Sequence, residues 1–147
     1  MKRIVIATDG SASALAAVAF GLKLAREQGA AVFFAYAAPG YEVLPAHAFG
    51  MSGARQRDAS EADHEPLDRA AAAAESAGVD ATTEVLGGDP ANEIVAYADS
   101  LDADVIVVGS RGHGNIAGAF LGSVSQGILR EARRPVLVVP NAAKRLD

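Results

Sequence analysis

Short apolar runs recur along the chain, each followed by a polar or glycine turn and then by residues at helical spacing. Ile4-Val-Ile-Ala7 is β-branched and apolar throughout, the pattern of a strand buried on both faces, and it leaves through Thr8-Asp9-Gly10. Ser11 or Ser13 can cap the helix that follows. Leu15, Val18, Ala19 and Leu22 mark its apolar face, and Gly29 is its stop. Ala31-Val-Phe-Phe-Ala-Tyr36 reads as a second buried strand, closed by Pro39-Gly40. Residues from about 41 to 60 hold Pro45, Gly50 and Gly53 and show no sustained period, which predicts a long mobile loop of the lid kind. Helical character returns by Leu67 and runs through an alanine stretch to Gly78; Pro66 either starts this helix or kinks it.

Ala81-Thr-Thr-Glu-Val-Leu86 alternates more than the other strands, which places it at a sheet edge. Asp89-Pro90 is an N-cap with proline at the first helical position, and Ile94, Ala98 and Leu101 mark one face of that helix. Asp104-Val-Ile-Val-Val-Gly109 is strongly apolar and therefore central. Ser123-Val-Ser-Gln126 has the form of a capping box for a helix that runs to Arg133-Arg134. Pro135-Val-Leu-Val-Val-Pro140 is the last strand, ahead of a short polar tail. The order βαβαβαβαβ predicts one α/β domain over residues 1–147, a parallel sheet with helices on both faces and right-handed crossovers. Ligands in such sheets bind at the carboxyl ends of the strands, where strand order reverses.

Composition narrows the function. Half of the 147 residues are hydrophobic and 21% are charged, which predicts a globular chain with a real core. The net charge of −5 argues against general nucleic-acid binding, which needs a basic face, but leaves room for a local anion site built from backbone amides. With no cysteine there is no disulfide, thiolate metal site or thiol nucleophile. The opening residues read as a strand and not a signal peptide, and no segment has the apolar length of a membrane span, so the expectation is a soluble cytoplasmic protein.

Candidate chemistry concentrates after the fourth strand. Six of the 15 glycines fall between Gly109 and Gly127. Gly109 ends the strand, Gly112 follows after two residues, and Gly122-Ser123 comes after nine more at the start of a helix. A strand, a glycine loop and a helix N-terminus together suit an anion, because the free amides of the first turn and the helix dipole both favour negative charge. The same pattern is also met in an ordinary surface loop whose serine caps a helix. It is not a P-loop, since no lysine precedes Ser123. Nor is it the dinucleotide fingerprint, which belongs after the first strand. His47 and His64 lack metal-site spacing, and Arg111 and His113 are more simply solvated loop residues than phosphate ligands.

On these residues the chain resembles a universal stress protein domain of the nucleotide-binding branch. Gly109, Gly112, Gly122 and Ser123 match that family's signature of Gly, two residues, Gly, nine residues, then Gly with Ser or Thr. The strand that opens into Asp9, the run Val105–Val108 and the closing Arg134-Pro135-Val-Leu-Val-Val139 also resemble the family. The resemblance implies a Rossmann-like, adenine nucleotide α-hydrolase-like sheet of five parallel strands in the order 3-2-1-4-5, with ATP between the first and fourth strands. It implies that Ala7 and Thr8 line the adenosine pocket, that Asp9 meets the ribose hydroxyls, and that Tyr36 offers backbone groups to adenine. Val108, Gly109 and Gly112 would frame the phosphates, with Gly122, Ser123 and Val124 on their far side. Magnesium or manganese would arrive with the triphosphate rather than in a protein metal site.

The apolar last strand, Val136–Val139, reads as a sheet edge open to pairing, and the resemblance implies a homodimer through it. The expected function is a nucleotide-dependent stress-response switch, at most a slow ATPase, because no general base stands beside the loop. The alternative is a nucleotide-free dimeric interaction protein. A phospho-accepting receiver fits poorly: Asp9 lacks an acidic neighbour, and Leu86-Gly-Gly follows the third strand where an aspartate is needed.

Overall fold

The computed structural model describes residues 1–40, 43–44, 55–56, 61–111 and 121–141. Its elements are β1 (Arg3–Ala7), α1 (Ala12–Gln28), β2 (Ala31–Ala37), β3 (Val43–Leu44), β4 (Arg55–Gln56), α2 (Glu61–Ala77), β5 (Ala81–Leu86), α3 (Pro90–Ser100), β6 (Val105–Gly109), α4 (Ser123–Glu131) and β7 (Val136–Val139). Five strands form one parallel sheet in the order β5-β2-β1-β6-β7, which is 3-2-1-4-5 counted along the sheet-forming strands.

Side chains alternate across a strand, so each central strand feeds two cores. Ile4 and Ile6 of β1, with Val105 and Val107 of β6, meet Val18 and Leu22 of α1 and Leu67 of α2 on one face. Val5 of β1, with Ile106 and Val108 of β6, meets Ile94, Val95 and Ala98 of α3 and Ile128 of α4 on the other. This double cover is why β1 and β6 carry no alternating polar residues. β5 lies at one edge, and its Thr82, Thr83 and Glu84 are exposed.

Caps set the helix ends. The Ser11 hydroxyl accepts the Ala14 N–H at 3.2 Å and begins α1, which ends at Gly29 with φ +65°. An Asp89 carboxylate oxygen accepts the Asn92 N–H at 3.1 Å, and Pro90 is the first residue of α3. Two expectations need correction, and one open choice, that of Pro66, is decided. The buried face of α1 is Ala14, Ala17, Val18, Gly21, Leu22 and Ala25, whereas Leu15 is 43% exposed and Ala19 faces solvent. Small residues, not the largest apolar ones, let this helix lie close on the sheet. Helix α2 starts at Glu61, six residues before Leu67, so Pro66 stands inside it rather than at its start. The capping box at Ser123 is not formed: Gly122 is the N-cap of α4, and Ser123 is already helical.

The expected loop at 41–60 lies largely outside the described residues. The part described holds a short antiparallel ladder, with Val43 opposite Gln56 and Leu44 opposite Arg55.

At the amino end of the sheet, one Asp104 carboxylate oxygen accepts the Lys2 N–H at 2.6 Å and the Arg3 N–H at 2.9 Å. The Arg3 N–H first, then that of Lys2, hold this carboxyl below the usual carboxylate range. Its stabilising contribution is therefore complete above that range and is lost as pH falls through its own lowered value. Asp104→Asn should lower the urea midpoint at neutral pH. The gap to the wild type should close as pH is reduced from about 5 to about 2. Urea titrations over that range check this, and a gap that stays constant refutes it.

Candidate functional site

At the carboxyl end of the sheet, β1 leaves through a turn whose polar groups hold one another. The Thr8 N–H donates to the Ala35 carbonyl at 2.9 Å, and the Thr8 hydroxyl accepts the Gly10 N–H at 3.3 Å. Asp9 Oδ1 accepts the Ser11 N–H at 2.9 Å, so this carboxylate does serve the turn. Gly10 has φ +79°, and a side chain there would meet the Arg69 guanidinium.

Beside it, β6 ends in Val108 and Gly109. A Cβ on Gly109 would lie 2.6 Å from the carbonyl oxygen and the hydroxyl of Ser13. This glycine is thus required by the close passage of α1. Next in the chain, the Ser110 N–H donates to the Val139 carbonyl at 2.9 Å and the Arg111 N–H donates to the Ser13 hydroxyl at 3.0 Å. The chain returns at Gly122, whose N–H donates to the Ser110 carbonyl at 2.7 Å. Gly122 has φ −71° and ψ 166°, and α4 begins at the next residue. This early entry displaces the capping box. The Ser125 hydroxyl instead donates to the carbonyls of Gly122 and Ser110, at 3.0 and 3.2 Å, and the Gln126 amide donates to the Leu121 carbonyl at 2.8 Å.

These segments enclose a cleft of about 290 Å³. Ala7, Thr8, Asp9, Tyr36, Val108, Gly109, Gly122, Ser123 and Val124 all line it. Gly112 lies outside the described residues, as do His47 and His113. Other lining residues carry weak signals in the sequence. Ala35, Ala37 and Pro39 come from the end of β2, and Pro90 and Ile94 from the first turns of α3. Nothing local marks them as neighbours of a loop after β6; only the sheet order brings them there. Arg111 and Ser125 also line the cleft. The sequence could have pointed to Arg111, which stands between two signature glycines. His64 is exposed on α2, as a surface histidine.

The cleft is electrically asymmetric. Its lining carries one carboxylate, Asp9, and one guanidinium, Arg111, among the described residues. The first turn of α4 holds no acidic residue, so none of its own side chains neutralises the positive end of its dipole. The walls between are apolar, from Ala35, Ile94 and Val108. Tyr36 is half-buried, packing on the core as well as lining the cleft. Burial first, then the charges of Asp63 and Asp9, push its phenol above the usual tyrosine value, so it stays a proton donor at neutral pH. Among the described residues, no group of three or more His, Asp or Glu is placed to hold a metal ion. Nor is any helix long and apolar enough to cross a membrane.

Comparison with known proteins agrees with this geometry. The model of the Universal stress protein family matches residues 1–140. Universal stress protein MJ0531 of Methanocaldococcus jannaschii is 36% identical over 143 residues, covering 97% of this chain and 84% of its own. Universal stress protein YxiE of Bacillus subtilis is 30% identical over 145 residues, covering 94% and 98%. Among solved structures, a universal stress protein in complex with cAMP is 30% identical with a TM-score of 0.71, covering 96% of this chain and 98% of that one. A family match over nearly the whole length, on a sheet of the same build, leaves no other assignment: the chain belongs to the universal stress protein family.

Proposed function

We propose that this protein is an adenine-nucleotide-binding switch that takes ATP, with magnesium or manganese carried by the triphosphate. The observation that carries the reading is one cleft lined both by Asp9 and by the N-terminus of α4, at the junction of β1 and β6. A carboxylate suits ribose because vicinal hydroxyls are donors, and a helix N-terminus suits phosphate. The residues fit the group: apolar walls for a base, a carboxylate for the sugar and free first-turn amides for the anionic tail. The relative solved with cAMP binds an adenine nucleotide on a fold of the same length, which supports the class of ligand.

The hydrogen bonds refine the assignment of roles. The Thr8 and Gly122 N–H groups are already spent on Ala35 and Ser110. In this reading Ala7 and Thr8 contribute surface to the adenosine pocket, and Tyr36 offers backbone groups to adenine. The amides of Ser123, Val124 and Ser125, which no intrahelical carbonyl can reach, face the phosphates. Val108, Gly109 and Gly112 bound the phosphates from the β6 side. The reading is one of binding and release, with at most slow hydrolysis.

The reading includes a homodimer through β7. This strand is at the sheet edge and pairs with β6 alone among the described strands. The Ile106 N–H donates to the Pro135 carbonyl and the Ser110 N–H to that of Val139. By the alternation of a parallel ladder, Val136 and Val138 then turn their backbone groups outward, toward a second copy.

Gly122→Val should abolish ATP-magnesium binding measured by calorimetry while leaving the circular dichroism spectrum intact. Any residue can adopt the backbone angles of Gly122, and Gly122 lines the cleft, so the variant tests added bulk at the cleft wall without a strained turn. Unchanged affinity in a folded variant would defeat the proposed site. Val138→Pro should turn a dimer into a monomer in sedimentation experiments, since it deletes an outward donor and spares the ladder to β6. A variant that remains dimeric places the interface elsewhere.

A further inference from the structure

The chain leaving β6 and the chain returning at Gly122 are tied together at a neck whose two serines, Ser13 and Ser110, do not line the cleft. Ser110 is its hub. Its carbonyl accepts the Gly122 N–H at 2.7 Å and the Ser125 hydroxyl at 3.2 Å, so the outgoing and returning chains and the first turn of α4 meet on one oxygen. Its N–H is held by the Val139 carbonyl. From the other side, Ser13 in the first turn of α1 supplies the hydroxyl that accepts the Arg111 N–H at 3.0 Å and lies 3.4 Å from the Ser110 hydroxyl. Ser13 is only 3% exposed and is not among the residues that line the cleft.

A serine buried in the first turn of a helix calls for an explanation, because its hydroxyl is withdrawn from water and must find a partner, whereas alanine would serve a small-residue packing face without that need. Alanine indeed occupies the neighbouring buried positions Ala14 and Ala17. The hydroxyl of Ser13 has its use across the gap, on the backbone of Arg111. The absence of a Cβ on Gly109 is the matching half of the same contact, since that space is filled by Ser13. The two residues lock α1 against the end of β6.

We infer that Ser13 is a positioning residue for the nucleotide site: its hydroxyl fixes the outgoing limb of the glycine segment at Arg111, and through the Ser110 carbonyl sets the approach of Gly122 and the aim of the α4 first-turn amides. The inference rests on the adenine-nucleotide reading above and names a determinant of that site outside its lining. Removing the hydroxyl leaves a backbone N–H without that acceptor and loosens the neck, while α1 keeps its helical residue and its cap at Ser11.

The test uses the full chain and the variant Ser13→Ala, with ATP-magnesium as probe and two readouts. Calorimetry should show affinity reduced about ten-fold, the scale of one buried hydrogen bond. Amide hydrogen exchange without nucleotide should show faster exchange at Arg111 and Gly122, with the amides of β1 and β6 as protected as before. Affinity within about two-fold of the wild type overturns the inference. So does loss of protection spread evenly over the sheet, because that is general destabilisation rather than a released neck. A wild-type chain that binds no adenine nucleotide instead removes the functional reading; the exchange pattern at Arg111 and Gly122 then decides the neck alone.

Discussion

Parallel strands all leave a sheet at the same end, and here the two that leave side by side at its centre are β1 and β6. From that pair the chain turns outward in opposite directions, to β2 and β5 on one side and to β7 on the other. The connections therefore part above the β1–β6 junction and leave a crevice that no helix can cover. The described residues of the proposed nucleotide site stand around it: Thr8 and Asp9, the end of β2, the first turns of α3 and α4, and the limbs of the glycine segment at Gly109, Arg111 and Gly122.

Stability and function draw on the same contacts at that junction. β1 and β6 are buried on both faces, so each of their residues is committed to one of two cores. Their ends inherit that rigidity. The turn after β1 spends its Thr8 and Asp9 side chains on its own backbone, and the segment after β6 is pinned by Ser13, Val139 and Gly122. A ligand that meets such a site finds its donors already placed and loses little free energy in ordering them. At the opposite end of the sheet, Asp104 and Arg134 tie separate segments of the chain together. Arg134 donates to Asp99 at 2.8 Å, to Asp102 at 3.1 Å and to the Ala103 carbonyl at 2.7 Å, tying the approach to β7 onto the turn before β6.

Glycine has two distinct physical uses here. Gly10 stands at positive φ in a turn. Gly109 is one of the glycines on which the sequence resemblance rests, yet its missing side chain makes room for Ser13 of α1. One residue type thus answers to helix–strand packing at Gly109, while Gly122 lines the cleft. Reading a glycine motif as a uniform ligand cradle overlooks this division of labour.

Much of the architecture was legible in the sequence, because strands buried on both faces must be apolar at every position and helix ends must cap their free amides. The first rule located the four strands other than β5, which its alternation marked as an edge; the second located the Asp89 cap and the stop at Gly29 and left the first cap between Ser11 and Ser13, of which the structure uses Ser11. Placing Ala7 to Asp9 beside Gly122 to Val124 followed from the resemblance, and the structure puts those residues on one cleft. The sequence misled where size was taken for burial, as with Leu15, and where a local capping pattern competed with a distant partner, as at Ser123. Only the tertiary structure brought Pro90 and Ile94 into the cleft, started α2 ahead of Pro66 and joined Ser13 to Arg111 across 98 positions of chain. Periodicity and capping act over a few residues and are written locally, whereas contacts between strand ends depend on the order of strands in the sheet, which no short stretch of sequence encodes.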